Sequence, residues 1–106
     1  MIVRIVRMTF QQGQLEAFEA LFLQHRESIA QQSGCLGVEW ITDPDAPFVR
    51  GTLSRWESTA DLDAYRRSAL FGTIWPTTKA MFSQAPQVWT YHVLSLTSDS
   101  HEVPRS

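Results

Sequence analysis

The sequence predicts the α+β class, with one four-stranded antiparallel sheet and helices on one face. Three observations carry this expectation. Four segments are rich in β-branched and aromatic residues; the stretches between them repeat apolar residues at helical spacing; and the order runs strand, helix, strand, turn, strand, helices, strand. That order is the split βαβ arrangement, βαββαβ, of ferredoxin-like folds. The chain has 106 residues, room for one domain that buries roughly two-thirds of its unfolded surface.

Met1 to Phe10 is rich in Ile and Val, interrupted by Arg4 and Arg7, and reads as a strand nearly apolar on both faces. Gln11-Gln12-Gly13 breaks it. From Gln14 to Gln32, Leu15, Phe18, Phe22 and Ile29 recur at helical spacing, and His25 fills the remaining place in that stripe. Gly34 ends the helix, and strand composition resumes from Cys35 to Thr42. Asp43-Pro44-Asp45-Ala46-Pro47 is turn chemistry, so the next strand, Phe48 to Trp56, makes a hairpin with its predecessor. Its two acids lack the further oxygen ligands of a calcium loop.

Ser58-Thr59-Ala60-Asp61 resembles a capping box and opens a helix that carries Leu62 and Tyr65 inward. Helix continues, with breaks near Ser68 and Trp75-Pro76, through Leu70, Phe71, Ile74, Met81 and Phe82, and Pro76 is expected to open the last segment. A final strand, Gln87 to Leu96, contains Val88, Trp89, Tyr91, Val93 and Leu94. The domain is thus expected over residues 1–96, followed by a polar tail over 97–106.

Composition narrows the partners. Nine Lys and Arg against eleven Asp and Glu leave a formal charge of −2, with no basic run beyond Arg66-Arg67, so no nucleic acid is expected. The longest apolar runs are far below the ~20 residues of a membrane span. One cysteine, Cys35, rules out an intrachain disulfide, and the N-terminus lacks the apolar stretch of a secretion signal; a reducing cytoplasm is expected. No phosphate-cradling glycine loop supports a nucleotide, and no His, Cys or carboxylate spacing recommends a metal, so no cofactor is expected. The strands do not alternate cleanly enough to leave the second sheet face wet. A homodimer packed sheet to sheet across a two-fold axis solves this, leaving in each subunit a pocket between its own sheet and helices.

The chain resembles the antibiotic biosynthesis monooxygenase (ABM) superfamily of dimeric α+β barrels over roughly residues 1–95. The resemblance rests on Ile2-Val3-Arg4-Ile5-Val6, on Gly34-Cys35, and above all on Trp56-Glu57-Ser58 with Tyr65-Arg66-Arg67-Ser68-Ala69-Leu70-Phe71 and Trp75. It implies oxygen chemistry on a small substrate, often without metal or flavin; other members degrade haem or isomerise small signalling molecules. Haem-degrading members use an Asn, a Trp and a His where this chain holds Val6, Tyr65 and Trp75, and the chain contains no Asn.

A cofactor-independent monooxygenase acting on a small aromatic or quinol-type substrate needs a base, an anion anchor and aromatic walls. Of His25, His92 and His101, the first lies on the apolar stripe and is the candidate base; the alternative is a core imidazole satisfied by backbone or water. His92 stands on the last strand, at an interface or at the pocket. Tyr65 offers an orienting hydroxyl or packs as plain core. Phe22, Phe71, Trp75 and Phe82 are candidate pocket walls, while Trp56 reads as core. Arg7 and Arg66 can hold an anion or stand in solvent. Cys35 has no neighbouring base and is not read as a nucleophile. Two other functions fit the same residues: a non-catalytic dimer binding a small ligand, and an oxygen-independent isomerase.

Overall fold

The computed structural model describes residues 1–94; the tail expected over 97–106, with His101, lies outside the described residues. Its elements are β1 (Ile2–Thr9), α1 (Leu15–Ala30), β2 (Cys35–Thr42), β3 (Val49–Trp56), α2 (Thr59–Arg66), α3 (Ala69–Lys79) and β4 (Gln87–His92). The strands form one antiparallel sheet in the order β2-β3-β1-β4, as a ferredoxin-like α+β fold requires.

β1 is central, paired with β3 through Ile2↔Trp56 to Thr9↔Val49 and with β4 through Ile2↔His92 to Arg7↔Gln87. Its burial alternates strictly. Ile2, Arg4, Val6 and Met8 share the buried face, which the helices cover, and Val3, Ile5 and Arg7 share the other. The sequence expectation of a strand apolar on both faces holds for Val3 and Ile5, but it hides that Arg4 falls on the buried side.

α1 buries Phe18, Phe22 and Ile29 against the sheet. Ser58 caps α2 by accepting a hydrogen bond from the Asp61 backbone N–H at 3.1 Å, and Ser68 caps α3 by accepting one from the Phe71 N–H, also at 3.1 Å. Gly34 has φ +77°, and a Cβ there would collide with the Asp61 side chain, so the loop from α1 into β2 lies tightly against the start of α2.

Three expectations are corrected. Pro76 does not open a segment: it lies inside α3, which runs unbroken to Lys79. Proline removes one backbone bond and costs about 3 kcal/mol, yet Ile74, Trp75 and Thr78 on either side of it all face the same cavity, and their packing keeps the helix continuous. Met81 and Phe82 lie beyond α3; Phe82 forms a single bridge to Phe10, and its ring packs edge-on against that of Phe10 at 5.4 Å. The last strand ends at His92.

Two groups of buried side chains build the interior. Val6, Met8, Phe10, Phe18 and Phe22 form one, flanked by Trp40 and Trp75. Ile2, Trp56 and Leu62 form the other, flanked by Cys35 and Tyr65. On the face turned away from the helices, Ile41, Trp89 and Tyr91 are exposed beside the ion pairs Arg7–Asp43 at 3.0 Å and Arg55–Glu39.

Candidate functional site

The two interior groups do not close completely on one another. Between them, under α1, α2 and α3, lies a cavity of about 80 Å³, room for several waters. Members of both groups line it: Val6, Met8, Phe18 and Phe22 from the first, Trp56 and Tyr65 from the second.

The helical wall follows from local sequence. The Ser58 cap sets the start of α2, and Leu62 and Tyr65, three residues apart, fall on one helix face toward the sheet. Ser68 then joins two helices with one hydroxyl: it donates to the Tyr65 carbonyl at 2.6 Å while capping α3. That junction fixes Tyr65 against Phe71, their rings edge to face at 5.2 Å. Tyr65 stacks on Trp56 at 5.1 Å and Phe71 on Trp75 at 5.7 Å, so four aromatic rings form a continuous wall. Trp56 is fully buried and donates its indole N–H to the Ser54 hydroxyl at 2.9 Å.

Few polar groups reach this cavity. The Tyr65 hydroxyl has no hydrogen-bond partner among the described residues, and burial pushes its pKa up to about 12, against the opposing pull of the Arg4 charge. At neutral pH it is a hydrogen-bond donor and a poor base. Thr52, Ser54 and Thr78 contribute hydroxyls. Burial pushes the Cys35 thiol up, away from the reactive thiolate, despite a backbone bond from Gly37.

The structure brings Phe22, Tyr65, Phe71 and Trp75 together on the lining. The other three expected site residues stand elsewhere. His25 is half-buried but absent from the lining, although its helical angle falls within about 20° of Phe18 on the same stripe; the lining takes Phe18, Phe22 and Ile29 from that face. Phe82 packs behind Trp75 at 5.9 Å. His92 is exposed on the edge strand β4. Of the two expected anion anchors, Arg7 is on the opposite sheet face with Asp43, and Arg66 is exposed, 4.0 Å from Asp63. The residue that the sequence reading passed over is Arg4, which lines the cavity. Its signal was its place in the alternation Ile2, Arg4, Val6, Met8. Among the described residues no group of three His, Cys, Asp or Glu stands together to hold a metal ion, and no helix is long and apolar enough to cross a membrane.

The family profile described as antibiotic biosynthesis monooxygenase matches residues 1–75. Among solved structures, the chain is similar to one described as an antibiotic biosynthesis monooxygenase, with 19% identity, TM-score 0.82, and 90% of this chain and 100% of that one covered. It is similar to Rv0793 from Mycobacterium tuberculosis, with 18% identity, TM-score 0.83, and 92% and 98% covered. A conserved protein from Methanosarcina mazei Go1 shows 20% identity, TM-score 0.80, and 86% and 91% coverage. These likenesses establish the fold. No curated protein matches the sequence.

Proposed function

Because the chain belongs to the antibiotic biosynthesis monooxygenase family, we propose that it is a cofactor-independent monooxygenase whose substrate, a small aromatic or quinol, binds between the sheet and the helices. The observation that carries this reading is the Tyr65 hydroxyl, without a partner among the described residues, beside a wall of four aromatic rings in a mostly apolar cavity. Flat rings on the wall favour a flat substrate through stacking, and the hydroxyl donates to an oxygen on that substrate. The mostly apolar surroundings exclude water while the substrate, bound as the anion it forms by losing its proton to bulk solvent, meets oxygen. The substrate supplies all the electrons: a quinol and dioxygen give a hydroxyquinone and water, one oxygen atom entering the ring and the other leaving as water.

The test is oxygen uptake by the purified protein across a panel of phenols and quinols. Uptake that falls at least tenfold in Tyr65→Phe, with His25→Ala unchanged, is the expected result; no uptake with any member refutes the proposal. The place of His25 outside the lining favours a second reading, a non-catalytic ligand-binding dimer, in which a ligand raises the melting temperature without turnover. Product formed under argon would instead identify an oxygen-independent isomerase.

The proposal includes a homodimer formed through the sheet face that the helices leave bare, where Ile41, Trp89 and Tyr91 offer apolar area. Sedimentation at micromolar concentration should give twice the chain mass, and Trp89→Glu should halve it. A reducing cytoplasm suits the single thiol of Cys35.

A further inference from the structure

Among the described residues Arg4 is the one charged side chain that is buried, only 8% exposed. It stands on the central strand, opposite Ser54 of β3 and Thr90 of β4, and lines the cavity with Tyr65. The other arginines within reach of a carboxylate use it: Arg7 with Asp43, Arg55 with Glu39, Arg66 with Asp63. Arg4 makes no ion pair and no side-chain hydrogen bond among the described residues. Burial lowers its pKa, repulsion by the Arg66 charge lowers it further, and Tyr65 opposes. A guanidinium taken from water without a counter-charge is costly, and proteins keep such a group paired or leave it for a ligand.

The chemistry of the site is one-sided. Arg4 carries five N–H donors in a rigid fork and no acceptor; the Tyr65 phenol, held neutral, adds an O–H. The remaining surface is mostly apolar, with aromatic rings along the helical side. Such a cavity matches a flat body that ends in an anionic oxygen.

We propose that Arg4 is the anion anchor of this cavity, and that the ligand binds as a flat one- or two-ring aromatic monoanion with its charged oxygen on the Arg4 guanidinium and the Tyr65 hydroxyl. This deepens the oxygenase reading, on which the identification of the ligand as the substrate, or as its hydroxyquinone product, rests, but the anion preference itself is independent of turnover. The shared chemistry is an acidic aromatic oxygen, which comes from an arene carboxylate or from the phenolate of a hydroxyquinone. Holding a preformed anion needs no proton removed, so binding at this site does not depend on His25.

The experiment is calorimetric titration under argon at neutral pH with two matched pairs: 2-naphthoate against 2-naphthamide, and 2-hydroxy-1,4-naphthoquinone against its methyl ether. The wild-type protein should bind the anion of at least one pair tenfold or more tighter than its neutral twin, and the pair showing the preference identifies the source of the anionic oxygen. Arg4→Met should abolish the preference while melting at or above the wild-type temperature, since no internal partner is left behind. Equal binding within both pairs overturns the proposal. So does a marked fall in the melting temperature of Arg4→Met, which would show that the guanidinium is satisfied inside the protein. Absence of oxygen uptake alongside a clear anion preference would sink the oxygenase reading and leave the anchor standing.

Discussion

Replacing Tyr65 by Phe separates the ionisation of one buried phenol from everything else in the fold. In the folded protein that phenol ionises near pH 12, against an ordinary value of 10.0, chiefly because burial penalises the phenolate. The unfolded chain therefore releases the proton first. Stability from this group is complete below pH 10 and is lost as pH rises toward 12. At about 1.4 kcal/mol for each pH unit of difference, integration across the two titrations gives a loss of about 2 kcal/mol by pH 12. Tyr65→Phe removes this loss and, because the hydroxyl has no partner among the described residues, should change stability at pH 8 by less than about 1 kcal/mol. Urea unfolding of both proteins at steps from pH 8 to pH 12 measures it. The wild-type curve should fall below the variant by about 2 kcal/mol at the alkaline end. Cys35 is present in both proteins and cancels from the difference to first order. Parallel curves would mean that the hydroxyl is solvated, and its burial against the cavity would be refuted with it.

Three other comparisons follow. Gly34 and Gly13 both have positive φ, at +77° and +90°, but only at Gly34 would a Cβ meet a neighbour, the Asp61 side chain; Gly34→Ala should cost the backbone strain of about 1–2 kcal/mol plus a steric cost of about 1–3 kcal/mol. Gly13→Ala should cost only the strain, and the difference between their urea midpoints checks this. Trp56→Phe breaks the indole bond to Ser54, whereas Trp40→Phe removes a buried indole N–H that has no partner among the described residues; chemical denaturation should show the Trp56 change costing more by at least about 1 kcal/mol. The Asp43 carboxyl is held below its ordinary value of 3.8 by the Asp45 backbone N–H and then by Arg7. Its stabilisation is full above that value and fades as pH falls through the lowered pKa, so acid unfolding of Asp43→Asn should lack the corresponding component below pH 3.8.

What the sequence made legible depends on the range of the interaction that decides each element. The α1 stripe of Phe18, Phe22 and Ile29, the Ser58 cap and the turn at Asp43, whose carboxylate accepts from the Asp45 N–H at 2.9 Å, are settled within a few residues, and local chemistry reads them correctly. Pro76 and Phe82 are settled by distant partners. The continuity of α3 through a proline reflects side chains packed around a shared cavity, and the position of Phe82 reflects Phe10, far away in the chain. Neither partner lies inside any window that a local rule examines.

The site divides along a different line. Its aromatic members, Tyr65, Phe71 and Trp75, follow from the helical period, because large rings on an inward face have nowhere else to go. Its charged member was hidden by residue type. An arginine is assigned to solvent because arginines usually stand there, and the sequence reading weighs Arg7 and Arg66 as anchors but not Arg4. Strand parity says the opposite: Arg4 is two residues from Ile2 and two from Val6, and a period of two puts all three on one face. Where type and period disagree, one of them must be overridden at a cost in free energy. A buried guanidinium facing a cavity is where that cost has a use, since an anion arriving there recovers it on binding. His25 shows the limit of the period: it shares the α1 stripe with Phe18, Phe22 and Ile29, yet it is only half-buried and absent from the lining. Periodicity thus places a side chain on a face; only the partners across that face decide whether it meets a ligand.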